Sequence, residues 1–298
     1  MDDLPYLVDA HHHLWDLNAC RHTWLAEKGV VRFFGDPAPI QTDYHVPELR
    51  ADFGALPVRK SVHIQVGVQV DDSLIETAWL QGQSDTHGLP NAIVAFCDLT
   101  KETVENDLSA HAEHAAVRGV RQIIGRSAEE DRKTGTSELL DDPDFERGLN
   151  VLAETGLSFD LQLTPPLMHA SAALFARVPD LNVALCHCGS LSAYDQDGLK
   201  EWEDGLRALA ALPNMICKVS GFGMFDHDWT EKKIAPLVYR VIDIFSPARV
   251  AFGSNFTVDK LYASYEDTIG AYLNTCARYS FDERDAMFRT NAERFYQI

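Results

Sequence analysis

The 298-residue chain has no run of eighteen consecutive apolar residues, which excludes a membrane-spanning helix. Its opening, MDDLPYLVDA, has neither a basic head nor an apolar stretch, so no secretory signal is expected. Cations are scarce: 26 Lys and Arg stand against 45 Asp and Glu, a formal net charge of −19. That balance repels nucleic acid and anionic membrane surfaces, and neither is expected as a partner. The six cysteines (Cys20, Cys97, Cys186, Cys188, Cys217 and Cys276) form no CxxC pair and no disulfide framework. In their apolar surroundings they read as buried thiols of a reducing cytoplasm. Short repeats and low-complexity linkers are also missing. What is present is an ordinary globular composition, 46% hydrophobic and 24% charged, over a length that suits one domain, 1–298.

The chain alternates β-rich runs with segments of helical spacing. Strands are expected at 6–13, 60–66, 92–98, 117–124, 157–163, 182–188, 214–219 and 249–255. In DDPDFERGLNVLAETG, Asp142 is placed to cap a helix, Pro143 to begin it and Gly156 to end it. EKKIAPLVYRVIDIF sets Ile234, Leu237, Val238, Val241, Ile242 and Phe245 on one stripe. A Ser280/Glu283 capping box opens the closing helix. Strands alternating with helices in this way predict an α/β fold, a single (β/α)8 TIM-type barrel with a long first βα loop. A doubly wound sheet is the other reading of such alternation, but no GxGxxG follows the first strand. The long loop, residues 15–57, is rich in aromatics and proline. In a barrel it lies on the catalytic face, and it is expected to act as a flap over the pocket.

The first strand carries VDAHHHLWD, Val8 to Asp16. Alternation puts Asp9, His11 and His13 on one face and turns His12 toward the helices. Imidazoles at His11 and His13, at the C-terminal end of a strand, suit one metal ion. Near the end of strand six, ALCHCGS turns His187 inward and Cys186 and Cys188 outward, which makes His187 the natural third member. Other inward candidates close their strands: His63 and Gln65, Asp98, Arg121, Asp160 and Gln162, and Lys218 with Ser220. Arg121 and Lys218 are the local cations that an anionic or carbonyl-bearing substrate would need. Gln65, Gln162 and Trp15, together with Arg121, are expected to contact it. His111, His114, His169 and Asp43 read as surface positions.

With HxH on strand one, then GVR, HCG, KVSG and GSNFTVDKL in that order, the chain resembles the amidohydrolase superfamily. Within it, the likeness is to the amidohydrolase-related branch of sugar-lactone hydrolases and 2-pyrone-4,6-dicarboxylate lactonase, and it runs through the terminal NAERFYQI. The resemblance implies a distorted (β/α)8 barrel that hydrolyses a lactone, ester or amide, commonly with zinc or manganese on His11, His13 and His187. The strand-eight aspartate of that pattern falls at Asn255. An amide takes no proton near neutral pH and brings no charge to a divalent ion. Asp259 is read as too far along the loop to be a simple substitute.

Two routes follow. In one, a divalent metal (zinc or manganese) polarises the carbonyl and activates water. In the other, metal-independent, Arg121, Lys218 and the histidines stabilise an oxyanion while His187 or Asp9 takes the proton. The substrate implied is a small lactone, sugar-derived or carboxylated, handled by His187, Asn255, Arg121 and Lys218. Homo-oligomerisation stays open. A non-oxidative decarboxylase of the same superfamily and a catalytically silent ligand-binding barrel are the alternative readings.

Overall fold

The computed structural model describes residues 4–298. Its eight strands are β1 (Leu7–His12), β2 (Val58–Ile64), β3 (Ala92–Ala95), β4 (Val117–Val120), β5 (Ser158–Leu161), β6 (Val183–Leu185), β7 (Met215–Val219) and β8 (Val250–Phe252). They pair in chain order as one parallel sheet, which curls into a nearly closed (β/α)8 barrel. Every expected strand is there, and most stop short of the expected C-terminal end. The reason is chemical: the polar residues that follow Ile64, Val120, Leu161 and Phe252 leave the ladder and form the mouth of the barrel.

The helices, in chain order, are α1 (Thr23–Ala26), α2 (Val46–Asp52), α3 (Ser73–His87), α4 (Val104–Ala112), α5 (Ala128–Thr134), α6 (Pro143–Thr155), α7 (Met168–Phe175), α8 (Gln196–Ala210), α9 (Glu231–Phe245), α10 (Tyr265–Cys276), α11 (Phe281–Asp285) and α12 (Asn291–Tyr296). The Asp142 carboxylate caps α6 by accepting from Asp144 N, and Gly156 ends it with φ 76°. All six stripe residues of α9 are buried. The Ser280/Glu283 box opens α11.

The seam between β8 and β1 is closed by a side chain. Asp9 accepts from Ser254 N (2.9 Å), Ser254 Oγ (2.6 Å) and Tyr265 Oη (2.9 Å), while Asn255 N donates to His11 O (2.7 Å). A register shift between Asp9 and His12 lets this happen. The bulge breaks strict alternation, so Asp9 faces α10 instead of sharing a face with His11 and His13. Asp9 is therefore a clamp on the seam, and the expectation that it takes a proton from water is corrected.

The main apolar layer lies between strands and helices. Inside the barrel, Val62, Ile64, Ala92 and Val94 pack on Tyr296. Tyr296 also donates to Asp160 of β5 at 2.9 Å and stands 5.7 Å from the Lys218 ammonium of β7. One ring that meets β2, β3, β5 and β7 must stand within the barrel, so the last helix plugs it.

The 15–57 loop is packed rather than open. Trp15 and Tyr44 pair through their backbones, and rings of Trp15, Trp24, Phe34 and Phe33 follow one another edge-on at 5.2–5.8 Å. Phe33 stacks on Phe225 from the loop after β7, and Tyr262 Oη, from beyond β8, donates to Phe34 O. Trp15 is fully buried, its indole N–H bonded to Thr42 O. That makes it core of this loop and corrects its assignment to substrate contact. All six cysteines are free and buried, and no helix among the described residues is long and apolar enough to cross a membrane.

Candidate functional site

Polar side chains from seven strands meet where those strands end: His11 and His13, Gln65, Arg121, Gln162, His187, Ser220 and Asn255. None is more than 5% exposed, so the group lies closed beneath loops. The imidazole of His11 is 5.1 Å from that of His13 and 4.4 Å from that of His187, centroid to centroid. Two glycines permit this crowding. A Cβ on Gly253 would lie 2.6 Å from His11 Cβ, and one on Gly221, whose φ is 74°, would lie 2.5 Å from His187 Nδ1.

His187 does not belong to a strand. β6 ends at Leu185, and His187 and Cys188 take left-handed φ values of 53° and 51°. Ser190 and Asn255 are left-handed too, at 55° and 56°. Each such non-glycine position costs on the order of 1 kcal/mol, and strain of this kind gathers at functional sites. The turn also undoes the expected outward pairing of the two cysteines. Cys186 faces inward, Sγ 3.8 Å from Asp160 Oδ1, whereas Cys188 Sγ lies 3.6 Å from Lys218 O.

The imidazoles are held neutral. Burial, then the nearby Lys218, His187, His13 and Arg121, keep His11 well below the ordinary histidine range. Burial followed by Arg121 and Lys218 does the same for His187, and burial followed by Arg121 brings His13 to about 3. His187 Nδ1 is fixed by Ser220 Oγ at 2.9 Å. Both ring nitrogens of His11 are buried without a hydrogen-bond partner among the described residues.

His13 Nδ1 lies 2.7 Å from Ile64 O, an acceptor only, so the single proton of this neutral ring sits on Nδ1. Its Nε2 lone pair then faces Asn255 Oδ1 at 3.2 Å. On its other side the Asn255 amide donates from Nδ2 to Asp259 Oδ1 at 3.0 Å. Asp259 is buried, accepts from Gly223 N, and is pushed up to about 7, chiefly by burial. Asp259 does not take the place of the strand-eight aspartate, yet it lies directly against the residue that does. The chain turns through Val258–Leu261, Asp259 N bonds to Asn255 O (3.1 Å), and the carboxyl folds back behind the amide. The spacing of four residues was the signal in the sequence.

Arg121 is buried and braced, donating from Nη1 to Gln162 Oε1 (2.8 Å) and from Nη2 to Gln65 O, while Nε has no partner among the described residues. Gln65 returns a bond to Arg121 O at 3.3 Å. Lys218 behaves differently. Its ammonium is fully buried in an ion pair with Asp160, to which Tyr296 also donates. The expectation of a substrate-facing cation at Lys218 is corrected, because its charge is consumed inside the barrel.

Two other candidates, and one position read as exposed, lie outside the mouth. His63 points away from it, its Nδ1 accepting from Leu14 N and its ring 6.0 Å from that of His12. Asp98 bonds Thr100 and Gln122. His111, read as a surface position, is buried against Thr77 Oγ1 at 3.0 Å.

Two further features lie apart from this group. Asp16, Asp43 and His45 bring ligand-type atoms within 4.8 Å of one another at the rim. Their oxygens already serve the 15–57 loop: Asp16 caps Asn18 N and Ala19 N and pairs with His45, and Asp43 accepts from Leu17 N. A surface groove of about 490 Å³ lies among Tyr194, Phe225, Lys233 and Leu237 and is lined by none of the residues of the mouth.

A closed parallel barrel with imidazoles and a braced guanidinium at its strand ends has the construction of a TIM-barrel enzyme. The chain belongs to the amidohydrolase family, whose model matches residues 8–298. An uncharacterized protein of Sinorhizobium fredii is 35% identical over 300 residues, covering 100% of both chains. The L-fucono-1,5-lactonase of Burkholderia ambifaria is 27% identical over 310 residues, 99% of this chain and 97% of that protein. An amidohydrolase of Burkholderia multivorans, solved with bound zinc, superposes with a TM-score of 0.83 at 25% identity, covering 98% of this chain and 99% of that one. The protein is thus a hydrolase of the amidohydrolase class.

Proposed function

We propose that the protein opens a small lactone, of the sugar-derived kind, by water attack on the ester carbonyl. The observation that carries this reading is the gathering of neutral imidazoles beside a buried guanidinium, in a chain with a full-length relative named a lactonase.

The donor set fits a divalent ion of the zinc or manganese type. His11 offers ring nitrogens with no other partner, and the lone pairs of His13 Nε2 and Asn255 Oδ1 face each other with no proton to share. His11, His13 and Asn255 would hold such an ion, which supplies Lewis acidity toward the carbonyl and acidifies bound water. His187, expected as the third ligand, is left unligated in this scheme, since the ligand atoms of the three histidines do not all come within 4.8 Å of one another. Asn255 is an amide and Asp259 stands one amide behind it, so His187 Nε2 is the proton acceptor that remains at the mouth.

His187 Nδ1 lies 2.9 Å from Ser220 Oγ; in the tautomer whose Nδ1–H donates to that hydroxyl, Nε2 is left free to take the proton. Arg121 Nε donates to the carbonyl oxygen as negative charge develops there, with Gln65 and Gln162 fixing the guanidinium beforehand. Water attacks, the ring C–O bond breaks, and His187 returns its proton to the leaving alkoxide. The product is a hydroxy acid.

The test is a panel of aldonolactones and carboxylated lactones, scored by acid release in weakly buffered indicator. Samples are chelator-treated and then resupplied with zinc or manganese. Opening of aldonolactones that chelation removes and metal restores is the expected result. Activity that survives chelation favours the metal-independent route, for which Arg121 and the uncharged Asn255 are the supporting features. Release of carbon dioxide from aromatic carboxylates, with every lactone inert, overturns the proposal.

A further inference from the structure

Asn255 stands where a carboxylate would be expected to face the mouth, and an amide there has a difficulty that a carboxylate lacks. Its two ends differ. With the carbonyl toward His13, a lone pair is offered to the site; with the NH2 toward His13, the amide donates to His13 Nε2 and the two side chains satisfy each other. The second arrangement would cancel both donor atoms with one internal hydrogen bond.

The surroundings choose between them. Behind Asn255, within 3.0 Å, stands Asp259 Oδ1, buried and held in place by Gly223 N. With Asp259 ionised, turning the amide over would set its carbonyl oxygen against that carboxylate oxygen, two acceptors in contact. Gly223 lies close against the carboxyl: a Cβ on it would sit 3.3 Å from Asp259 Cγ. Asp259 N also bonds to Asn255 O, which ties the two residues through their backbones as well.

We propose that Asp259 is the positioning residue of the metal site: it captures the Asn255 amide N–H and so keeps the Asn255 carbonyl oxygen turned toward the ion. Asp259 touches neither substrate nor ion. It acts through Asn255, as the carboxylates that orient ligating histidines act through those rings. The inference rests on the metal-dependent form of the proposed function, and it explains how a ligand position can carry an amide and still remain open.

The experiment measures zinc binding to the apoprotein by competition with a chromophoric chelator, in an Asp43→Asn background that weakens the rim trio. Asp259→Ala frees the amide to turn and is expected to lower zinc affinity on the order of tenfold to a hundredfold. The swapped pair Asn255→Asp with Asp259→Asn keeps every hydrogen bond with donor and acceptor exchanged. The amide, now at position 259, would donate to one oxygen of the carboxylate at position 255 and leave the other oxygen facing the site. This double variant is expected to bind zinc at least as tightly as the parent, which also shows that the region tolerates change. Unaltered affinity in Asp259→Ala, beside a loss in Asn255→Ala, overturns the role of Asp259. A parent protein that takes up no zinc yet opens lactones overturns this inference while leaving the lactonase reading standing. Zinc binding with the expected dependence and no lactone turnover has the opposite meaning.

Discussion

Two polar regions share the interior of this barrel, and they are built on opposite rules. At mid-depth, Asp160, Lys218 and Tyr296 are fully buried and satisfy one another: the carboxylate takes the ammonium and the phenol. At the mouth, His11 has both ring nitrogens unpartnered among the described residues, Arg121 likewise keeps Nε free, and the lone pairs of His13 and Asn255 oppose each other. Burying polar groups is costly in both places, and only the first group recovers the cost internally. The lesson is that polarity inside a protein does not mark a site. Unpartnered polar atoms do not do so singly either, since His12 and His22 keep them too; their convergence at the strand ends does.

The comparison can be broken most directly at the mouth. His11→Ala and His187→Ala are each expected to lower kcat/KM for the best lactone at least about a thousandfold, roughly 4 kcal/mol. The denaturant midpoint should move little, and retained turnover above a tenth of wild type would take that histidine out of the chemistry. The mid-depth group should respond the other way. Lys218→Met strands a buried carboxylate and is expected to cost about 3–5 kcal/mol in urea unfolding. Adding Asp160→Leu should recover most of that loss, and a cost below about 1 kcal/mol for the single change would show that the ion pair pins nothing.

Buried histidines give a smaller, graded effect. His13 at about 3 and His12 and His22 at about 4 bind fewer protons folded than unfolded. Their contribution is therefore complete above the unfolded value near 6.5 and is lost as pH falls toward 3–4, at about 1.4 kcal/mol per pH unit for each. Unfolding midpoints measured from pH 7 to 4 should show that fall, and a flat profile would contradict it. Glu76 carries the opposite sign. Burial raises it to about 8, with Val66 N–H and Arg121 only partly offsetting, so the stability it allows at low pH is lost as pH rises through 8. Glu76→Gln should raise the melting temperature above pH 8 and leave it unchanged below pH 4.5.

How much of this could be read in advance differs residue by residue. The strands and the helix caps at Asp142 and Ser280 are local patterns, and they appear where the spacing puts them. His11, His13 and His187 were legible as a set because strand ends of a barrel converge. Asp9 was misread because a bulge breaks alternation, and Cys186 because the chain turns left-handed one residue later. Lys218 read as a free cation until Asp160, 58 residues earlier, stood against it.

The order of eight strand–helix units, and the polar residues placed where each strand stops, were determined by the sequence alone, since periods of two and 3.6 residues are written in neighbouring positions. Which of those polar groups cancel one another and which remain open was decided only by closure of the barrel. Tyr296 meets Asp160 across 136 residues and Asn255 meets His13 across 242. No local period encodes such pairings; they exist because a closed cylinder brings distant strand ends to one rim.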